Sequence, residues 1–189
     1  MPVYTGEIAA TYHHRTADPG PVLPDSITGG QNAPEHRFAL DLKMDFIVGL
    51  WAEASLIHKD FDFSPLDYTS MLNLGADYTF GIGNGLGIMI ENFWYLQDEH
   101  PFGREESLYF GLFSATYPLN IIHSLNAMLF YDFSNNNFYR FINWSMAFDK
   151  WSFYVMGFWN PESYTLYNVD PRTSLYGGWG FQLMAVFNH

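Results

Sequence analysis

Six acidic residues stand at alternate positions in segments whose neighbouring positions are apolar. They are Glu7, Asp45, Glu53, Asp77, Glu91 and Asp132. Carboxylates that line an interior attract cations and repel anions, so the last five are candidates for lining a cation-favouring conduit. The alternative is that these acids form hydrogen bonds with Tyr, Asn, Thr and Arg140 inside a packed barrel. The pattern leaves both alternatives open.

Histidines and acids near the predicted connections are a second candidate for chemistry. The histidines are His13, His14, His36, His58 and His100, and the acids are Asp60, Asp62, Asp98, Glu99, Glu105 and Glu106. Imidazole and carboxylate groups can assemble a divalent-cation site. No spacing such as H-E-x-x-H is present, which favours ordinary solvated residues over a metal site.

The sequence gives little support for an enzyme, and we expect no activity and no cofactor. Ser107, Ser114 and Ser134 lack the context of a nucleophile elbow, because no Gly-x-Ser-x-Gly segment occurs. The chain has no cysteine, which removes thiol nucleophiles and zinc-thiolate sites. The glycine-rich run from Gly81 to Gly87 lies between two predicted strands and opens no helix, so it predicts a turn.

The amino-acid composition indicates that part of the protein's surface is not in contact with water. Aromatic residues make up 20% of the chain and charged residues only 15%, against roughly 25% in soluble domains. The longest nearly unbroken apolar run, residues 46–52, is far shorter than the roughly 20 residues of a membrane-spanning helix. Both properties agree with a membrane barrel, in which only alternate residues face lipid.

The charge balance bears on partners. With 20 acids against 8 bases, nucleic acid is an unsuitable partner, whereas cations or basic partners are suitable.

Period-two alternation predicts about ten strands. They lie near residues 5–14, 36–41, 44–57, 67–80, 86–97, 106–117, 124–134, 138–148, 151–160 and 177–188. In the last strand an apolar file runs from Trp179 through Phe181 and Leu183 to Phe187. The second strand depends on a turn at residues 41–43, and because residues 37–57 alternate almost without interruption, that turn could instead lie within one long strand.

The predicted connections alternate between short and long, which is typical of outer-membrane barrels. The short ones are residues 40–43, 81–85, 118–123 and 149–150, and the long ones are 15–35, 58–66, 98–105 and 161–176. The tight turn at 135–137 is the exception. A strand of about ten residues, tilted by about 40°, spans roughly 25 Å, which matches the lipid-facing band.

Tyrosines and tryptophans fall near predicted strand ends, where a membrane interface favours them. They are Tyr4, Tyr12, Tyr68, Trp94, Tyr117, Tyr131, Trp151, Trp159 and Trp179. The alternative is that both residue types simply favour strands.

Three segments resemble the closing strands of Gram-negative outer-membrane porin-like β-barrel proteins. These are GGWGFQLMAVFNH, YTFGIGNGLGIMIENF and FDKWSFYVMGFWNP. The resemblance is architectural and covers most of the chain. It implies an all-β, antiparallel transmembrane β-barrel in the outer membrane of a Gram-negative-type bacterium. Such proteins usually end on an aromatic residue, whereas here Phe187 is followed by Asn188 and His189.

We expect one β-barrel domain over residues 1–189, either complete or the C-terminal part of a longer barrel. The first 15 residues have no basic n-region and no apolar h-region, so the sequence is expected to be a mature chain with an added Met1 or a fragment. Bulky residues on the interior faces would fill a barrel of only ten strands. They are Trp51, Phe93, Tyr95, Phe130, Tyr154 and Phe158. An open pore therefore needs further strands, from a missing part or from further copies in a homo-oligomer.

The leading functional hypothesis is a porin-like channel or channel component that passes small solutes or cations and is surrounded by lipid. A non-conducting barrel that binds a ligand or anchors a protein partner is the alternative, with connections 15–35, 58–66 and 161–176 as the binding surface. A soluble lipocalin-like barrel would need polar residues in the outward files, and these files are largely apolar.

Overall fold

The computed structural model describes residues 5–17, 32–60, 66–162 and 176–188. In these ranges the chain forms ten β-strands and no helix, which confirms the all-β prediction and the predicted number of strands. The strands are β1 (Thr5–Ala17), β2 (Ala33–Asp45), β3 (Gly49–Lys59), β4 (Tyr68–Phe80), β5 (Leu86–Asp98), β6 (Glu106–Pro118), β7 (His123–Asp132), β8 (Asn137–Ala147), β9 (Trp151–Trp159) and β10 (Trp179–Phe187). Accordingly, these ranges hold no helix of the length and apolarity that crossing a membrane requires.

Each strand pairs with the next strand in the chain, so the sheet order is β1 to β10 without a crossover. This confirms the antiparallel sheet. A pairing of β1 with β10, which would close a barrel, is not found among the described residues. Closure therefore stays a prediction.

Contacts divide the chain into two compact units. The first comprises Met1–Ala76 and Asn92–Tyr109, and the second comprises Asp77–Glu91 and Phe110–His189. Strands β1–β3 belong to the first unit and β7–β10 to the second, while β4, β5 and β6 each give residues to both. The expectation of one domain over residues 1–189 stays a prediction.

The turn between β2 and β3 corrects the sequence-based prediction. It was predicted at residues 41–43 but is formed by residues 46–48, where the backbone N–H of Phe46 donates to the carbonyl of Val48 (3.2 Å). The ladder consequently runs on through Asp41 and Lys43, which lie opposite Glu53 and Trp51. Charged residues normally mark a turn and apolar residues a strand. Here both signals are reversed.

The cross-strand register sorts the side chains onto two faces. One, the apolar face, carries the predicted apolar files, and its neighbours across the ladder match, as in Leu40 opposite Ala54 and Val155 opposite Leu183. The other, the polar face, carries the opposing files. The assignment of the alternating files to opposite faces is thus confirmed.

Charge is distributed almost entirely to one of these faces. Thirteen of the fifteen charged strand residues lie on the polar face: Glu7, Arg15, Glu35, Arg37, Asp41, Lys43, Asp45, Glu53, Lys59, Asp77, Glu91, Glu106 and Asp132. The other two are Asp98, the last residue of β5, and Arg140 in β8. The middle of the apolar face therefore carries no charge in any of the ten strands.

Neither face of the sheet is covered by a hydrophobic core. Among the described residues the buried apolar side chains are Ala17, Ala33 and Phe158. On the apolar face Ile8 is 74% exposed and Phe181 is 72% exposed. Soluble monomers rarely expose apolar patches beyond a few hundred Å². This face therefore needs a covering that the described part of the chain does not supply.

A glycine in β4 can test the packing of the polar face. The indole of Trp51 lies directly over Gly75, and a Cβ at position 75 would fall inside the ring. Gly75→Ala should therefore lower the free energy of unfolding by about 1–3 kcal/mol, because the indole must leave its place.

Gly87→Ala is the matched control, because a Cβ there would meet nothing closer than the Thr116 carbonyl at 3.7 Å. Its free energy of unfolding should not fall below that of the parent chain. Urea unfolding followed by tryptophan fluorescence measures both values. Equal losses in the two variants would contradict the packing described.

Candidate functional site

The predicted lining residues of the first unit lie on the polar face of β2 and β3. Glu53 is directly opposite Asp41, and Asp45 ends β2 opposite Gly49. The one hydrogen bond to Glu53 that the structure describes is a long one, 3.5 Å from Asn73 Nδ2 to Oε2. Two carboxylates that face each other across a ladder repel unless water or cations screen them. This pair is exposed and can be screened.

The other predicted lining residues belong to the second unit. Asp77 in β4 is exposed, and Glu91 in β5 is partly buried. Asp132 ends β7 and is only 3% exposed. Its Oδ1 accepts hydrogen bonds from the backbone N–H groups of Ser134 (2.9 Å) and Asn135 (3.1 Å), and its Oδ2 accepts one from Asn135 Nδ2 (2.7 Å). Asp132 therefore organises the turn into β8, and the lining role of all five residues stays a prediction.

A cluster of bases around Glu35 was missed by sequence reasoning. The Glu35 side chain is fully buried and binds Arg15, Arg37 and Lys59. Arg15 Nε lies 2.7 Å from Oε1 and Lys59 Nζ lies 3.3 Å from Oε2, while Arg37 donates through its own Nε to Oε1. Three cations around one carboxylate leave a formal charge of +2. The polar face thus begins, at this end of β1–β3, with a basic region.

The register explains why this cluster could not be predicted. Arg15, Glu35 and Lys59 form one row across three strands. A turn at residues 41–43 would have paired Glu35 with a residue near position 48 instead of Lys59. The only signal in the sequence is that these bases lie at strand ends beside the long connections.

Arg140 is placed differently from the prediction. It was expected among the interior acids, but it lies on the apolar face, with its guanidinium 5.1 Å from the centre of the Phe138 ring and 5.5 Å from that of Trp159. Arginine tolerates this position because its charge rests on aromatic faces. It lies opposite Trp159, the last residue of β9, where solvent is near. The alternative that the interior acids form hydrogen bonds with Arg140 in a packed barrel is therefore wrong for this base.

The tyrosines and tryptophans predicted near strand ends share the apolar face. Tyr4 lies outside the described residues. The other eight are Tyr12, Tyr68, Trp94, Tyr117, Tyr131, Trp151, Trp159 and Trp179, and six of them are the first, last or penultimate residue of a strand. Tyr12 and Trp94 lie deeper, where the Tyr12 hydroxyl bonds His36 Nδ1 (2.9 Å) and the Trp94 ring stacks on Tyr109 (4.9 Å).

Asp98 holds the connection from β5 to β6. Its Oδ1 accepts a hydrogen bond from the backbone N–H of His100 (2.9 Å), and its Oδ2 accepts one from that of Glu105 (3.0 Å). The His100 N–H is the largest influence and lowers the pKa of Asp98; burial opposes it, and the Glu105 N–H adds to the lowering. The carboxylate therefore belongs to the connection rather than to the ladder.

The described residues contain no group of three or more His, Asp and Glu side chains that could hold a metal ion. Asp62 lies outside the described residues. Comparison with protein families, with curated proteins and with solved structures gave no match. The function must therefore be argued from the two faces of the sheet.

Removal of the Glu35 charge should destabilise the sheet. Glu35→Gln leaves three bases facing one another, and breaking a buried ion pair costs about 3–5 kcal/mol. Because these bases are half-exposed and can be solvated, we expect a smaller loss of about 1–3 kcal/mol in the free energy of unfolding.

Glu53→Gln is the control for the loss of one glutamate charge on the same face. It should stay within about 0.5 kcal/mol of the parent chain, since Glu53 is exposed and faces another acid. Urea unfolding compares the two variants. A loss in Glu53→Gln as large as that in Glu35→Gln would contradict a special role for Glu35.

The connection held by Asp98 should depend on pH. Because its pKa is lower in the folded chain than in the unfolded one, its stabilising contribution is complete above the ordinary value of about 3.9 and is lost as the pH falls through the lowered value. The amide NMR signals of His100 and Glu105 should titrate below pH ~3.9. The variant Asp98→Asn should show no such titration. If the titration persisted in this variant, it would have to be assigned to a group other than Asp98.

Proposed function

We propose that the chain is an outer-membrane β-barrel, or part of one, whose apolar face contacts lipid and whose polar face lines the interior. One observation carries this proposal, namely that thirteen of the fifteen charged strand residues lie on one face, while the opposite face is apolar and uncovered in the described ranges. A charge on the lipid face costs about 2–4 kcal/mol at the bilayer midplane. The observed distribution avoids this cost in every strand.

Strand length and aromatic placement support lipid, rather than another protein, as the covering. The strands have 9 to 13 residues, and about ten tilted residues suffice to cross the hydrocarbon layer. Tyrosine and tryptophan at strand ends on this face match the girdles at the two membrane interfaces. A protein partner would not require such residues at the ends of five strands, β4, β6, β7, β9 and β10. The outer membrane of a Gram-negative-type bacterium is the compartment in which such barrels reside.

The proposed activity is that of a porin-like channel, or a component of one, with a cation-favouring interior. Nine acids and four bases lie on the polar face, a net charge of −5. The acid of the basic cluster is outnumbered by its three bases and cannot attract cations, so their attraction depends on the remaining acids, among them Asp45, Glu53, Asp77 and Glu91. Small cations or solutes are the class of substrate.

A non-conducting barrel that binds a ligand or anchors a partner is the second candidate. The observation that favours it is the number of large aromatic side chains on the polar face, including Trp51, Phe130, Phe141, Tyr154 and Phe158. Side chains of this size fill the interior of a barrel of about ten strands. Free conduction through such an interior would need strands from further copies or from a longer chain.

The tryptophans provide a test of the membrane assignment. Trp94, Trp144, Trp151, Trp159 and Trp179 lie on the apolar face, and Trp51 is the one tryptophan on the polar face. In vesicles that contain brominated phosphatidylcholine, variants that keep one apolar-face tryptophan should be strongly quenched. A variant that keeps only Trp51 should not. Equal quenching on both faces, or a chain that remains monomeric in water without detergent, would overturn the proposal.

Planar-bilayer recording separates the two candidate functions. The channel should pass cations in preference to anions, and Glu53→Gln should lower the ratio of cation to anion permeability because it removes a lining charge. Arg140→Gln changes a charge on the apolar face and should leave that ratio unchanged. Anion selectivity would count against the channel, and absence of conductance from an inserted chain would favour the non-conducting barrel.

A further inference from the structure

A pocket lies on the polar face of β7–β10, within the second unit. It is lined by Met128, Asn143, Tyr154, Met156, Gln182 and Met184, and Tyr176 completes it. Its volume is about 350 Å³, which is in the lower range of small-molecule sites. None of the five acids predicted to line a conduit takes part in it, whereas Tyr176 is the last residue of the connection 161–176 that was predicted as a binding surface.

The register brings these side chains together. Asn143, Met156 and Gln182 form one row across β8, β9 and β10, and Tyr154 and Met184 face each other in the next row. Met128 in β7 lies opposite Phe141, one row away from Asn143. Three thioethers from three strands therefore converge on one place in the ladder.

Tyr176 is fixed beside this surface by ring contacts with β8 and β9 and by a hydrogen bond from Asn160. Its ring centre lies 5.5 Å from that of Phe158 and 6.1 Å from that of Phe141. Asn160 donates from Nδ2 to the Tyr176 carbonyl (2.8 Å) and accepts at Oδ1 from the backbone N–H of Arg140 (2.7 Å). Tyr176 is thus held against the sheet at the edge of the pocket.

The lining specifies the chemistry of a ligand. No charged side chain lines the pocket, and a charge set among thioethers would be desolvated without a partner. Methionine sulfur makes favourable contacts with aromatic rings and adapts to their shape. The side-chain amides of Asn143 and Gln182 make no hydrogen bond within the ranges that the structure describes. They are free to bind a hydroxyl or carbonyl group.

We propose that this pocket binds a neutral aromatic molecule that carries one hydroxyl or carbonyl group. The methionines and tyrosines enclose the ring, and the amides of Asn143 and Gln182 bind the polar group. Such binding uses none of the charged residues of the polar face, so it requires no conduction of ions.

Methionine methyl NMR can test this, with 2-naphthol as the probe. In the full chain carrying ¹³C-methyl methionine, in lipid nanodiscs, the signals of Met128, Met156 and Met184 should shift in a saturable manner because of the ring current. The signals of Met44 and Met146, which lie on the apolar face, should not. Shifts of all methyl signals in proportion to the probe concentration would show partition into lipid and overturn the site.

Variants and related probes test the recognition of the polar group. Gln182→Leu and Asn143→Leu should each weaken binding by roughly two- to tenfold, as expected for one lost hydrogen bond. Gln97→Leu, a glutamine of the same face in the first unit, should leave the affinity unchanged. Methyl spectra without probe verify that each variant is folded. Equal affinity for naphthalene, or for naphthalene-2-sulfonate, would overturn the proposed ligand class.

Discussion

This structure depends on one constraint, namely that the two-residue period of each strand separates charged side chains from apolar ones. Because successive side chains point to opposite faces, a slip of one residue in any ladder would exchange the faces of a whole strand. In β2 such a slip would place Arg37, Asp41 and Lys43 on the apolar face, where Leu40 and Leu42 now lie. Because few apolar side chains are buried within the sheet, the correct register is selected mainly by the different surroundings that the two faces require.

The Glu35 cluster supplements this constraint where it is weakest. At their ends beside the long connections, β1–β3 carry histidines and small residues on both faces, so hydrophobicity alone distinguishes the faces poorly. One buried carboxylate that binds a base from each of the three strands restores the distinction, because another register would separate Arg15, Glu35 and Lys59. Arg140 shows the complementary case, in which a charge on the apolar face is tolerated through two aromatic rings.

The ten strands could be predicted from the sequence because alternation is a local property, and the placement of tyrosines and tryptophans near strand ends followed from the same pattern. The β2–β3 turn could not, since residues 46–48 are all apolar and carry no turn signal, and the alternation has the same parity on both sides of them. The Glu35 cluster and the methionine pocket depend on pairings between strands, which local patterns do not contain. The position of Arg140 on the apolar face could have been predicted from the sequence, because Phe138 and Ile142 lie two residues away on either side and mark the apolar file.

The polar face is divided in its chemistry. Twelve of its thirteen charged residues lie on β1–β6, and β7–β10 carry only Asp132, whose carboxylate is engaged by a turn. In their place β7–β10 present thioethers, amides and aromatic rings. A cation is stabilised by the first surface and gains little from the second, while a neutral aromatic molecule has the opposite preference. A channel for ions alone would need no such neutral surface, and we therefore propose that the two sets of strands serve different ligands, cations on β1–β6 and a neutral aromatic molecule on β7–β10.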